Sequence, residues 1–278
     1  MATIHSPLRK FLKPILFALF GKSLYPWFQH VAKVRDIDLK LVEEKEMELL
    51  PYFIDKNSEA IDIGANYAYF TVRMAQLGRK VYAFEPIPFT FKVCKMVVDH
   101  YNLKNVILYQ NGVGERNEVR KFSVPIMNSG AISAGQSHFE ERENEGAGKE
   151  LHVNYKKTEV VSCEVLALDA LSNDFDNISF VKMDIEGAEY FALKGMAEII
   201  RKFKPVILLE INPFFLKGFN LTDGMMKELI NGMGYEVFIY SENTKKLCYW
   251  DLEFIESNYI IIHRDKLNTY KMLIKHEK

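Results

Sequence analysis

The sequence has few cysteines, no excess of one charge and no long apolar run. Three cysteines, Cys94, Cys163 and Cys248, are far apart and form no CxxC pair, so we expect reduced thiols in a cytosolic protein. The formal net charge is −1, which gives no electrostatic reason to expect a nucleic-acid partner. With 278 residues, 48% of them hydrophobic, the chain can form one large domain with an extension.

The N-terminal segment is apolar but too short to cross a membrane. Its apolar stretch covers residues 11–20 and is interrupted by Lys13 and Pro14, whereas a spanning helix needs roughly 20 apolar residues. No small-residue cleavage site follows, which argues against a signal peptide. We predict a helical extension over residues 1–50. It either packs on the main domain or, because cations flank the aromatic residues of 9–33, makes peripheral contact with a membrane.

Residues 51–278 alternate between strand-like and helix-like segments. Short apolar runs of this kind are typical of parallel strands covered on both faces, and helical patterns lie between them. We therefore predict an α/β fold with a doubly wound, mostly parallel sheet, closed by an antiparallel strand over Ser257–His263. The other predicted strands are Ala60–Ile63, Lys80–Phe84, Val106–Gln110, Ile178–Met183, Val206–Ile211 and Tyr235–Tyr240, and the predicted helices are Asn66–Leu77, Pro88–Tyr101, Ala188–Lys202 and Thr222–Met233.

One stretch interrupts this alternation. Residues 126–152 are rich in glycine, including Gly130 and Gly135, and in acidic residues. A loop of this length is uncommon inside a compact domain and is usually functional. Because β-like segments flank it at Val119–Val124 and Val153–Leu166, we predict an insertion whose tip covers a ligand.

The turn after the first predicted strand carries the residues Asp62, Gly64, Ala65, Asn66 and Tyr67. A turn between a strand and a helix exposes backbone N–H groups to a ligand. A dinucleotide site would have the pattern GxGxxG, which is missing here. An adenosine without phosphates therefore fits this turn better than a dinucleotide.

Polar or small residues also follow the next strands. Glu85, with Pro86 after it, lies about 20 residues beyond the turn, where an acid can bind both hydroxyls of a ribose. Asn111 and Gly112 follow the third strand, where an adenine edge could be met. Ligands of doubly wound sheets bind at this edge.

Six segments, taken in order, resemble the FkbM family of S-adenosylmethionine-dependent methyltransferases. The resemblance covers roughly residues 59–240. It implies the seven-stranded, Rossmann-like class I methyltransferase sheet and O-methylation of sugar or natural-product hydroxyls. One departure is Ala68, where the family usually has glycine, so we expect a slightly displaced turn. The segments are DIGANYAYFTVRMA, VYAFEPIP, KNVILYQNGVGE, NSGAIS, FVKMDIEGAEYFALKG and PVILLEI.

The resemblance implies S-adenosylmethionine as the cofactor. Asp62 is expected to hold the turn and reach the methionine amino group, Glu85 to bind the ribose, and Asp184 to face the methionine end. The predicted cofactor-binding residues are Asp62, Gly64, Ala65, Asn66, Tyr67, Glu85, Pro86, Asn111, Gly112 and Asp184.

Methyl transfer to a hydroxyl requires alignment of the oxygen and removal of a proton. Asp184, Glu186 and Glu210, at the ends of the fourth and fifth strands, are the predicted catalytic acids. In an alternative that we do not expect, Asp184, Glu210 and Asn212 share a Mg²⁺ ion. Other acidic and basic candidates have simpler interpretations: Glu189 favours a helix N-terminus, and His138 and His152 are expected to be surface histidines.

The leading hypothesis is an O-methyltransferase acting on a sugar hydroxyl in a glycolipid, polysaccharide or glycosylated natural product. A second hypothesis keeps the cofactor but replaces the acceptor with the hydroxyl or amine of a non-sugar metabolite. A third is a non-catalytic fold that binds the cofactor, or has lost it, and serves as a membrane-linked assembly partner. The presence of Asp62, Glu85 and Asp184 argues against the third hypothesis.

Overall fold

The computed structural model describes residues 7–42, 44–127, 137–142 and 155–275, and within its first helix it describes the side chains of Ile15 and of Leu24 onward. The helices are α1 (Pro7–Asp38), α2 (Leu50–Phe53), α3 (Tyr69–Leu77), α4 (Pro88–His100), α5 (Glu189–Lys194), α6 (Ala197–Phe203), α7 (Pro213–Gly218) and α8 (Asp223–Gly232). The strands are β1 (Glu59–Ile63), β2 (Lys80–Phe84), β3 (Val106–Tyr109), β4 (Gly112–Val113), β5 (Glu118–Met127), β6 (His138–Phe139), β7 (Tyr155–Leu166), β8 (Ile178–Met183), β9 (Val206–Ile211), β10 (Tyr235–Ser241), β11 (Lys246–Tyr249) and β12 (Ser257–His263).

The large sheet has the order β11-β10-β12-β9-β8-β1-β2-β3. Strands β3, β2, β1, β8 and β9 are parallel, and β12 is antiparallel to both β9 and β10. The predicted doubly wound sheet and its antiparallel closing strand are therefore confirmed. The sheet contains the seven predicted strands and an eighth, β11, which was not predicted. The chain turns back after β10, and β11 pairs with β10 as a hairpin.

A smaller sheet, in the order β4-β7-β5-β6, is formed by the strands that flank the predicted insertion together with β6 inside it. Strands β5 and β7 form a long antiparallel pair. The predicted insertion over 126–152 contains a strand where residues 137–142 are described, because β6 pairs with Phe122 and Ser123 of β5. Phe139 of β6 is buried in a cluster with Phe122, and this burial holds the short strand. Gly130, Gly135 and His152 lie outside the described residues.

Two predicted helices differ from the observed ones. The helix after β1 begins at Tyr69 rather than Asn66, because Asn66 and Ala68 have positive φ angles of 49° and 68° and cannot continue a right-handed helix. The segment predicted as one helix, Ala188–Lys202, is divided into α5 and α6. A Cβ atom at Gly195, between them, would lie 1.9 Å from the carbonyl oxygen of Gly114, so the chain must change direction where these backbones meet.

Helix α1 packs along α4. The rings of Tyr25 and Phe89 stack with their centroids 5.7 Å apart, and the Tyr101 hydroxyl donates to Asp38 Oδ1 at 2.7 Å. Of the two interpretations of the N-terminal segment, packing on the main domain thus describes this part of α1. Within the described residues, no helix is long and apolar enough to cross a membrane.

The packed core extends on both faces of the large sheet. All five residues of β1 are buried, as expected for a central parallel strand. Met47 and Leu49 join the same hydrophobic cluster as Leu50 and Phe53. The domain boundary that we place at residue 50 therefore falls within continuous packing, and it stays a prediction.

Candidate active site

A crevice lies at the carboxyl ends of β1, β2, β3, β8 and β9 and encloses about 810 Å³, part of it open to solvent. In doubly wound sheets this edge is where ligands bind. Residues that the sequence predicts from separate segments come together here. Those that line the crevice are Gly64, Asn66, Glu85, Pro86, Asn111, Gly112, Asp184, Glu186 and Glu210.

The turn between β1 and α3 is held by left-handed backbone. Gly64 has a φ of 79°, and a Cβ atom there would lie 2.0 Å from the carbonyl oxygen of Asp184, so glycine is required. The N–H groups of Gly64 and Ala65 both donate to the carbonyl oxygen of Phe84, at 3.0 and 2.9 Å. Because these donors are already engaged, the turn is not built to bind phosphate.

Glu85 is the acid that closes this turn. Its Oε2 accepts from the N–H of Asn66 at 3.0 Å and its Oε1 accepts from the N–H of Ile87 at 2.9 Å. Burial, only partly offset by these two hydrogen bonds, raises the pKa of Glu85 to about 7. A carboxylate has about four acceptor sites, so two oxygens remain able to accept from neighbouring hydroxyl groups in the crevice.

Three predicted cofactor residues, Asp62, Ala65 and Tyr67, do not line the crevice. Asp62 is buried behind the turn, where its Oδ2 accepts from the Thr71 hydroxyl at 2.5 Å. Tyr67 is also buried, and Lys33 Nζ lies 4.6 Å from its ring centroid. These side chains pack beside the turn, and the contact of Asp62 with a methionine amino group stays a prediction.

Asn111 and Gly112 form the opposite side of the crevice. The Asn111 amide donates to Glu164 Oε2 of the smaller sheet at 3.3 Å. A Cβ atom on Gly112 would lie 2.9 Å from Cζ of Phe122. The small residue here therefore allows the insertion to pack closely against the end of β3.

A buried lysine that sequence reasoning missed organises the acids. Lys182 Nζ lies 2.9 Å from Asp184 Oδ2. Burial lowers the pKa of Lys182, but the carboxylates of Asp184, Asp62 and Glu44 together outweigh burial and raise it. The signal in the sequence is a single charged residue inside the apolar strand FVKMD, which indicates a buried ion pair.

Asp184 and Glu210 both line the crevice, and each affects the pKa of the other. Burial favours the neutral form of Asp184, but the Lys182 ammonium and the hydrogen bond from Glu210 prevail and lower its pKa. Burial and the neighbouring Asp184 charge raise the pKa of Glu210 to about 10. The directions of the two shifts make Glu210 the member of the pair that holds a proton more readily.

Arg142 of the insertion lies beside Glu186 and was also missed. Its Nη1 donates to the backbone oxygen of Glu186 at 2.7 Å and lies 3.7 Å from Glu186 Oε2. The guanidinium carbon is 4.1 Å from the ring centroid of Phe215. Burial and the charge of Asp184 raise the pKa of Glu186 well above its usual range. This contact fixes the insertion to the strand end that carries the acids.

Residues of the smaller sheet and the segment before it also line the crevice. Phe122, Ser137 and Phe139 line the crevice, and the two phenylalanine rings lie 4.8 Å apart. The described part of the insertion thus borders the crevice at the place predicted for a covering segment. The sequence alone predicts this position poorly, because the position depends on pairing between strands that are far apart in the chain.

The remaining candidates have structural contacts. Glu189 Oε1 accepts from the N–H groups of Ile185 and Gly187, and Asn212 Oδ1 caps α7 by accepting from Phe214 N at 2.9 Å. His138 does not line the crevice. Across the ranges that the structure describes, no three His, Cys, Asp or Glu side chains are grouped to hold a metal ion.

The sheet order, with one antiparallel strand between parallel ones, is that of a class I methyltransferase fold. The family model of the methyltransferase FkbM domain matches residues 62–237. The chain belongs to this family of methyltransferases. A search of curated proteins finds no match.

Several solved structures resemble this chain distantly, and the family assignment rests on the domain match. Methyltransferase FkbM from Methylobacillus flagellatus KT is 13% identical, with a TM-score of 0.44; the similarity covers 88% of this chain and 60% of that one. An rRNA methylase from Streptococcus thermophilus is 10% identical, with a TM-score of 0.43 and coverages of 78% and 93%. M. capricolum TrmK, in complex with S-adenosyl-homocysteine, is 12% identical, with a TM-score of 0.37 and coverages of 85% and 72%.

Proposed function

We propose that the protein transfers a methyl group from S-adenosylmethionine to a hydroxyl of a sugar. The observation that carries this proposal is the Asp184 carboxylate, which lines the crevice beside Glu210 and lies 2.9 Å from the Lys182 ammonium. Such a group accepts a hydroxyl proton at neutral pH.

The residues of the crevice fit an adenosine-containing cofactor. Within the described residues, Asn66 Oδ1 is buried without a hydrogen-bond partner, although buried polar atoms are normally paired. A ligand donor would satisfy it. Glu85 offers two oxygens to a ribose diol. When bound, S-adenosylmethionine supplies an electrophilic methyl group on a sulfonium.

The acid cluster would then act on the acceptor. An acceptor hydroxyl that donates to Asp184 would be oriented by this hydrogen bond, and the Asp184 carboxylate would take up its proton. Glu210, being protonated, holds the carboxylate in place and is not itself the base. Lys182 keeps Asp184 ionised by its charge.

The walls of the crevice support a sugar as the acceptor. Sugar rings present apolar C–H faces and several hydroxyl groups. The rings of Phe122 and Phe139 provide an apolar surface, and the carboxyl groups of Glu186 and Asp184 provide acceptors nearby. A combination of apolar lining and a few convergent polar groups is usual for small-molecule sites.

Two amide variants test this assignment. Asp184→Asn should retain S-adenosylmethionine binding by calorimetry and lose about 10²–10⁴-fold in turnover. Glu210→Gln is the matched control, because its amide can still donate to Asp184, and it should lose much less. Turnover is measured as transfer of labelled methyl from the cofactor to soluble sugars, glycolipids and amines.

Particular results would contradict the proposal. Full activity of Asp184→Asn would remove this residue as the proton acceptor. Methylation of amines alone would favour the metabolite hypothesis over the sugar. If the wild-type protein failed to bind S-adenosylmethionine, the non-catalytic hypothesis would gain support.

A further inference from the structure

Helix α1 has an exposed apolar stripe on the side away from the domain. Leu24, Trp27 and Val31 are 50%, 51% and 45% exposed, and their spacing of three and four residues places them on one face of the helix. Tyr25 and Asp36, on the other side, are buried. Large apolar side chains grouped on one exposed face indicate a binding surface.

The same spacing continues toward the N terminus of the sequence. Steps of three and four residues back from Leu24 reach Phe20, Leu16, Lys13 and Arg9, all within the helical backbone of α1. The stripe is thus apolar along most of its length and has two cations at its N-terminal end. A pattern of this kind is typical of helices that lie in a membrane interface.

Charge is distributed unevenly between α1 and the rest of the chain. Residues 1–35 contain six Lys or Arg and no Asp or Glu, while the remaining residues contain 30 Lys or Arg and 37 Asp or Glu. The N-terminal segment is therefore cationic on a protein that is otherwise acidic. Anionic lipid headgroups attract such a segment, and tryptophan favours the same interfacial depth.

The packing of α1 relates this stripe to the crevice. Tyr25 stacks on Phe89 in the first turn of α4, and Val34, farther along α1, accepts from the hydroxyl of Tyr101 just after α4 ends. The two helices therefore run in the same direction. The part of α1 before Tyr25 extends past the start of α4, on the side where Pro86 lines the crevice.

We propose that α1 docks the protein on anionic phospholipid bilayers through Leu24, Trp27 and Val31, so that the crevice meets sugars attached to lipids. The docking is independent of the chemistry in the crevice. The assignment of a lipid-linked sugar rests on the proposed function.

Vesicle flotation tests the docking surface. The wild-type protein should float with vesicles of phosphatidylglycerol and phosphatidylcholine at low salt, less so at high salt, and not with phosphatidylcholine alone. Leu24→Glu should lower the vesicle partition coefficient about tenfold or more, because it removes apolar burial and adds repulsion. Leu252→Glu is the matched control at a leucine 63% exposed elsewhere, and it should change nothing. Thermal unfolding verifies that both variants fold, and Val31→Glu provides a second test.

Fluorescence locates the contact on α1. The chain contains two tryptophans, so Trp250→Phe leaves Trp27 as the only emitter, and its emission should shift to the blue on anionic vesicles. Failure of the wild-type protein to float overturns the proposal, as does equal loss in Leu24→Glu and Leu252→Glu. A blue shift that follows protein concentration without vesicles would assign the stripe to a second copy of the chain, and would also overturn it. Neither assay measures methyl transfer, so its outcome is separate from that of the proposed function.

Discussion

Replacing Lys182 by methionine should destabilise the protein strongly at neutral pH. Methionine has nearly the same length but no charge, so the Asp184 carboxylate loses the ammonium that lies 2.9 Å from its Oδ2. At an effective dielectric constant of about 20, this pair attracts by about 6 kcal/mol. The desolvation of Lys182, which is 6% exposed, offsets part of that attraction. We expect a loss of about 3 kcal/mol in unfolding free energy, the lower end of the range for breaking a buried pair.

The loss should depend on pH in a defined direction. Lys182 lowers the pKa of Asp184 in the folded protein, so this carboxylate contributes stability that is present above its unfolded pKa and disappears as the pH falls. In Lys182→Met that contribution is missing, and Asp184 takes up a proton more readily. The difference between wild type and variant should therefore shrink as the pH falls toward and below the ordinary aspartate pKa of about 4.

Urea unfolding at several pH values measures this difference directly. The matched control is Lys157→Met, which breaks the exposed pair between Lys157 Nζ and Glu159 Oε1 and should cost less than about 1 kcal/mol. A loss below about 1 kcal/mol for Lys182→Met, or a loss that is the same at every pH, would refute the role assigned to the lysine. In the active enzyme, the acidic limb of the pH–rate profile should also move to higher pH, because Asp184 then ionises later.

Two further substitutions test the turn that we propose to bind the cofactor. Glu85→Ala should weaken S-adenosylmethionine binding by about 1.5–3 kcal/mol in calorimetry. The affinity of the wild-type protein should rise as the pH increases through 7, because Glu85, with a pKa of about 7, must be ionised to accept from both ribose hydroxyls. Equal affinity in the variant would place the ribose elsewhere. Ala68→Gly should stabilise the fold by about 0.5–1 kcal/mol in urea unfolding, because relief of the left-handed conformation at alanine exceeds the entropy cost of glycine. A less stable glycine variant would show that Ala68 is not strained.

The local pattern of the sequence determined most of the sheet. Buried parallel strands are short, continuous apolar runs, and this signal needs no knowledge of distant residues. Because parallel strands end at the same edge, the position of Glu85 after β2 and of Asp184 after β8 was enough to place both in one crevice. The absence of GxGxxG likewise predicted a turn without a phosphate site, and the N–H groups of Gly64 and Ala65 are indeed engaged by Phe84.

Only the tertiary structure decided how the acids share protons and which side chains reach the crevice. The state of Glu210 depends on burial and on Asp184, 26 residues earlier in the chain, and electrostatic energies depend on distance and exposure that no local pattern contains. Arg142 approaches Glu186 only because β6 pairs with β5. Asp62 lies in the predicted strand, but the sequence does not show that its side chain accepts a hydrogen bond from Thr71. The spacing of apolar residues predicts which residues belong to each strand or helix. Contacts between distant elements determine the pKa values and hydrogen-bond partners of the side chains in the crevice.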